Sequence, residues 1–143
     1  YYGDDKLLAG ETLNLVRLAG MEEEVQIMSL DLKAVKQMQR LAPQMATGYV
    51  FAAGLGNLAQ LDVAFLAVST GQATSKLMRE AHERGLMVYA WTVNDVDGIL
   101  DMMEVGIDGL ITDDPALAIA TIQDIRQLTP MERLILRFRH LWD

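Results

Sequence analysis

Two short runs carry most of the side chains with which this chain could do chemistry: Trp91-Thr92-Val93-Asn94-Asp95 and Thr112-Asp113-Asp114-Pro115. In each, an apolar stretch gives way to hydroxyl, amide and carboxylate groups just ahead of a segment of helical period. Groups in that place bind polar ligands where a strand hands over to a loop. Ser29-Leu30-Asp31 and Ala53-Gly54-Leu55-Gly56 occupy comparable positions. Each candidate also has a plain structural reading. Asp31 and Asp114 sit where a carboxylate caps a helix by accepting from its first free amides, and Asn94 or Asp95 can do the same. Trp91 either fills the interior beneath its strand or stands at the strand end as an apolar wall for a ligand. The glycines of 53–56 would let backbone amides approach a phosphate, but the run lacks the spacing of a nucleotide-binding loop.

The histidines do not complete a catalytic set. His82 falls on a helical segment and His140 in a terminal basic stretch, neither at a strand end. Glu22-Glu23-Glu24 reads as a solvated turn, and no acidic group is spaced with a histidine for metal binding. Cysteine is absent, which removes disulfides and thiolate chemistry. The residues taken alone give a ligand-facing rim without a catalytic constellation or metal site.

The elements that must position this rim follow from periodicity. Helical segments ending at a glycine alternate with short branched or aromatic runs, the pattern of parallel βα units. Strands are expected over 25–30, 48–52, 87–93 and 108–112, with a weaker one over 63–68. Helices are expected up to Gly20, over 31–42 ahead of Pro43, over 74–85 with Leu77, Met78 and Ala81 on one stripe, over 94–105 with Ile99, Leu100, Met103 and Val105 as apolar positions, and from Asp114-Pro115. Gly20, Gly85 and Gly106 stand where left-handed C-terminal caps are needed. Thr129 and Glu132 have capping-box spacing around Pro130. The following stretch combines Leu134, Ile135, Phe138, Leu141 and Trp142 with three arginines, an amphipathic helix that completes a fold or meets an anionic partner. Two units are drawn: residues 1–128 as one α/β body and 129–143 as the terminal amphipathic helix.

Composition narrows the partners. The 143 residues are 51% hydrophobic and carry a net charge of -8, enough for one core and unfavourable for binding a phosphate backbone. Nucleic acid is not an expected partner. No window approaches the roughly 20 uninterrupted apolar residues of a membrane span, so the piece is expected to be soluble. The start at Tyr1-Tyr2-Gly3, without an initiating Met or signal sequence, reads as a cut inside a longer chain. An eight-unit barrel takes about 250 residues, so the chain accounts for about half of one.

Residues 81–95, AHERGLMVYAWTVND, and 105–115, VGIDGLITDDP, closely resemble the end of the glycerophosphodiester phosphodiesterase domain, with both motifs at that family's separation. Residues 25–31, VQIMSLD, are similar to the family's preceding "SFD" strand, with Leu30 in place of Phe, and Thr47-Gly48-Tyr49 resembles the next strand. The resemblance covers nearly all of residues 20–120. It implies the C-terminal half of a TIM-type (β/α)8 barrel. The implied reaction is hydrolysis of glycerophosphodiesters to glycerol 3-phosphate and an alcohol, with a divalent cation, Ca or Mg, polarising the phosphate and two histidines as acid and base. The family's "HRG" and "E.D" motifs do not occur here, so the resemblance carries over no catalytic or metal residue. It carries over Trp91 as a wall for the glycerol side of the substrate, Ser29 as a rim residue, and Asp113 as a support for its loop. The tail and the mid-chain start are similar to members that follow a membrane-embedded region.

Two readings of function follow. In one, the chain is the substrate-side half of a phosphodiesterase whose N-terminal half supplies the chemistry. In the other, a non-catalytic half barrel self-associates through its sheet edges and apolar faces. A third, a different phosphate-handling barrel, would make the motif match coincidental.

Overall fold

In the computed structural model, residues 5–54, 56–129, 131, 132 and 135 are described. Five parallel strands, β1 (Ile27–Ser29), β2 (Thr47–Phe51), β3 (Phe65–Ser69), β4 (Met87–Trp91) and β5 (Gly109–Leu110), lie in the sheet in chain order. Helices α1 (Asp5–Ala19), α2 (Leu32–Leu41), α3 (Ser75–His82), α4 (Val96–Val105) and α5 (Pro115–Gln127) alternate with them, except between β2 and β3. A doubly wound sheet reverses its strand order at a switch point, whereas this order never reverses. Sequential, parallel winding is the path of a (β/α)-barrel wall.

Capping chemistry sets the element ends as the sequence implies. Asp31, Thr74, Asp95 and Asp114 each accept a hydrogen bond from an amide in the first turn of α2, α3, α4 and α5, respectively. Gly106 closes α4 at φ 87°, a left-handed conformation that side chains disfavour. Asn94 is not the cap of α4; Asp95 takes that place, with its Oδ1 2.8 Å from Gly98 N.

Strand alternation divides the sheet into two faces. Register aligns Tyr49 with Leu66 and Val88, and Phe51 with Val68, Ala90 and Leu110. These residues face the helices, packing with Met78 and Ala81 of α3, Ile99 and Met102 of α4 and Ala118 of α5. Burying Leu66, Val88 and Ile99, each 0% exposed, contributes about 1.5–3 kcal/mol apiece. A smaller cluster joins Ala9 and Leu13 of α1 to Met38 of α2, with Ile27 of β1 against it. The helix-free face, which a closed barrel turns inward, carries Phe65, Ala67 and Ser69 of β3 and Tyr89 and Trp91 of β4. There the Phe65 and Tyr89 rings lie with centroids 5.0 Å apart.

β3 is the most deeply buried strand, with Phe65 to Val68 at 0–1% exposure. Its sequence gives the weakest strand signal of the five. An unbroken apolar run lacks the alternation of a half-buried strand because both faces of a parallel strand are covered. The β2–β3 crossover holds a short 3-10 turn, Leu58–Gln60, in place of a helix. Gln39 Nε2 donates to Asp62 O at 2.8 Å, tying the end of that crossover to α2. β5 is formally shorter than the expected 108–112, but its backbone pairing with β4 continues on both sides, from Asp108 N to Val88 O at 2.9 Å and from Ile111 N to Ala90 O at 2.8 Å.

After α5, Thr129 and Glu132 form the expected reciprocal cap. Glu132 Oε2 accepts from Thr129 N at 2.8 Å and from Thr129 Oγ1 at 2.7 Å. These bonds, led by the one from the Thr129 amide, lower the carboxyl's pKa below its ordinary value. The amphipathic helix expected over 129–143, with His140 and Trp142, otherwise lies outside the described residues.

One close approach tests the sheet directly. The Phe65 ring covers Gly48, its register partner, so tightly that a Cβ at 48 would overlap it. Gly48→Ala is expected to destabilise the fold by about 1–3 kcal/mol, the usual cost of overpacking, read as a lowered urea midpoint. An unchanged midpoint would mean that the ring has room to shift.

Candidate functional site

At the C-terminal ends of the strands, side chains tie each of the later strands to its neighbour. Ser69 Oγ, ending β3, donates to Ala52 O after β2 at 2.7 Å. Trp91, ending β4, lays its indole across β3 and donates from Nε1 to Ala67 O at 3.0 Å. With its one polar group satisfied and the side chain half-buried, the indole is held as a fixed apolar surface on the helix-free face. Ser69 and Trp91 are register partners and share that face. The Trp91-Thr92 peptide bond is cis.

The next tie joins the loops after β4 and β5. Asn94 Nδ2 donates to Asp113 Oδ2 at 2.7 Å, and Asn94 Oδ1 accepts from Thr112 Oγ1 at 3.1 Å and from Asp113 N at 2.9 Å. Thr112 Oγ1 in turn accepts from Asp114 N at 3.0 Å. Asp113 thus supports its loop through Asn94. Beneath this, Val93 N donates to Ile111 O at 3.1 Å and carries the β4–β5 pairing past the formal end of the strands.

Ser29 is placed elsewhere. Its register partner is Tyr49, aligned with Leu66 on the helix-facing side, three residues out of phase with Ser69 and Trp91. The Ser29 hydroxyl accepts from Asp31 N at 3.0 Å, turning the chain into α2. It lines a largely apolar cavity of about 210 Å³ with Leu8, Thr12 and Met38, between α1 and α2. The structure does not bring Ser29 and Trp91 to one surface, since the odd register offset puts them on opposite faces. Ser69 holds the place expected of Ser29. The apolar run read as 63–68 stops one residue before it, and a serine followed by Thr70-Gly71 was the available signal.

The Gly54 region closes the loop after β2 with Gly54 at φ 147°. His82 lies at the opposite end of the sheet. Its Nε2 is 3.0 Å from Asp108 Oδ2, and the same oxygen accepts from Val88 N at 2.6 Å. Asp108 N donates back to Val88 O at 2.9 Å. The aspartate therefore aligns β5 with β4 where the strands begin, and His82 braces it. Among the described residues, no group of three or more His, Asp or Glu side chains gathers to hold a metal ion. The described residues therefore do not supply a site for the divalent cation that the resemblance implies.

A singly wound parallel wall alternating with helices defines a TIM-barrel-like α/β domain, a fold that binds its ligands at the C-terminal strand ends. The model of the Glycerophosphoryl diester phosphodiesterase family matches residues 5–117, and the chain belongs to that family. It is similar to the glycerophosphodiester phosphodiesterase of Caldanaerobacter subterraneus subsp. tengcongensis, 24% identical over 115 residues that cover 78% of this chain and 47% of that protein. A solved structure from Silicibacter pomeroyi, assigned as a glycerophosphoryl diester phosphodiesterase, superposes with a TM-score of 0.80 at 26% identity, over 85% of this chain and 45% of the other. The Oleispira antarctica phosphodiesterase in complex with the product sn-glycerol-3-phosphate shares the fold, with a TM-score of 0.73 at 20% identity over 83% and 50% of the two chains. The chain thus spans about half the length of these relatives.

The brace at the strand starts gives a graded prediction. Asp108→Ala leaves Val88 N without its acceptor and is expected to cost about 1–3 kcal/mol, while His82→Ala, removing the exposed half of the pair, costs under about 1 kcal/mol. Urea unfolding of both variants checks the order; equal losses would contradict it.

Proposed function

We propose that this chain is the substrate-side portion of a glycerophosphodiester phosphodiesterase barrel. The reaction served is hydrolysis of a glycerophosphodiester to glycerol 3-phosphate and an alcohol by metal-assisted acid/base catalysis. The observation that carries the reading is Trp91, held at the end of β4 by its bond to Ala67 O on the helix-free face. An indole fixed there offers an apolar wall to the carbon side of a glycerol unit while polar neighbours at the strand ends face its hydroxyls. Family membership supports the reaction class, and the product held by the Oleispira relative supports the product. The catalytic histidines and the cation, Ca or Mg, belong in this reading to an N-terminal half-barrel that pairs with β1.

A second reading has its own observation. Leu7, Leu8, Leu15 and Leu18 of α1 are 65–85% exposed, and an apolar helix face of this kind favours association. A non-catalytic half barrel that self-associates would cover it with a second copy.

Hydrolysis of glycerophosphocholine with Ca or Mg separates the two. The chain is assayed alone and fused behind the N-terminal half of the Caldanaerobacter relative. Activity in the fusion alone is expected, and there Trp91→Ala should raise KM roughly ten-fold with little change in kcat, the mark of a binding wall. Activity in neither form, with a concentration-dependent dimer, favours self-association. Activity of the chain alone contradicts the assignment of the chemistry to another half.

A further inference from the structure

Asn94 neither caps α4 nor enters a core cluster, yet its amide makes three hydrogen bonds to the loop after β5, one donated and two accepted. The set demands an amide. A donor must meet the Asp113 carboxylate while an acceptor on the same plane meets Thr112 and the Asp113 amide. An aspartate at 94 would set carboxylate against carboxylate across a 2.7 Å gap. The bonds also run onward, since Thr112 Oγ1 holds Asp114 N and Asp114 Oδ1 holds Leu117 N at 2.9 Å in the first turn of α5. On the other side, Asn94 follows buried Val93 and stands three residues beyond Trp91.

We propose that Asn94 is a positioning residue that locks the exits of β4 and β5 together and so sets the presentation of Trp91 to a ligand. This rests on the reading of Trp91 as a substrate wall. Asn94 is exposed, so water competes for its bonds and its loss disturbs the rim more than the global fold. A residue that merely stabilised the fold would move the melting temperature and leave the folded-state spectrum of Trp91 unchanged.

The test uses the 143-residue chain carrying Trp142→Phe, which leaves Trp91 as its one tryptophan. Asn94→Asp is expected to shift the Trp91 emission maximum and raise acrylamide quenching about two-fold, because a segment freed of its cross-link opens locally at lower cost. The melting temperature stays near that of the parent. Asn94→Asp with Asp113→Asn exchanges amide and carboxylate across the same gap and is expected to restore both signals. An unchanged spectrum in the single variant, or a double variant as perturbed as the single, overturns the proposal. Where Asn94→Asp melts too low to assay, Asn94→Ser removes the Asp113 contact without added charge and is read in the same way. Added sn-glycerol 3-phosphate separates the two levels of argument. A parent Trp91 signal that does not respond contradicts the substrate wall, while the ligand-free spectra still decide the lock.

Discussion

A parallel strand buried on both faces must have a neighbour on each edge and a covering layer on each side, and β3 imposes that constraint on everything around it. Phe65, Leu66, Ala67 and Val68 are at 0–1% exposure, with β2 and β4 hydrogen-bonded on either edge. Leu66 and Val68 require helices on their side, which α3 and α4 supply through Met78, Ala81, Ile99 and Met102. Phe65 and Ala67 require cover on the other, which in the described residues comes from rings of the sheet itself. Tyr89 lies against Phe65, and Trp91 reaches back to Ala67 O. The aromatic that marks the candidate site is therefore also part of the cover of the central strand. Small residues make room for it: Gly48 accepts the ring of Phe65, and Gly109 stands beside that of Tyr89.

The two ends of the sheet are held differently. Where the strands begin, Asp108 joins β5 to β4 through Val88 N and is braced by His82. Those bonds set register. Where the strands end, Ser69, Trp91 and Asn94 each bridge to an adjacent strand or its loop. Loops fastened in this way hold polar and apolar groups in fixed relation, which is what a binding surface needs before a ligand arrives. Barrels of parallel βα units bind their ligands at this same end.

Most helix boundaries were legible because single residues decide them: Asp31 and Asp114 cap, and Gly20, Gly85 and Gly106 adopt positive φ. The inward stripe of α3 was legible from spacing, with Met78 and Ala81 buried, whereas on α4 Ile99 is buried as expected and Met102, not Leu100, is the second buried residue. β3 was under-read because continuous hydrophobicity carries no period. The site was legible in part. Trp91 and the strand-end runs could be found, but which face a residue occupies depends on register, and register is a relation between strands that spacing along one strand cannot supply. For that reason spacing alone does not tell that Ser69, and not Ser29, shares the face of Trp91. Asn94 looked like a helix cap because its true partners, Thr112 and Asp113, lie 18 and 19 residues away.

The central claim is that the C-terminal strand ends, with Trp91 as their wall, receive the glycerol phosphate portion of a substrate. The most direct test is a nuclear magnetic resonance titration of the chain with sn-glycerol 3-phosphate, following the indole N–H of Trp91 and the ring of His82. The account predicts a saturable shift of the Trp91 indole together with the amides of Thr112 and Asp113, and a stationary His82 at the opposite end. A stationary Trp91, or shifts centred on His82 or on the Ser29 cavity, would contradict it.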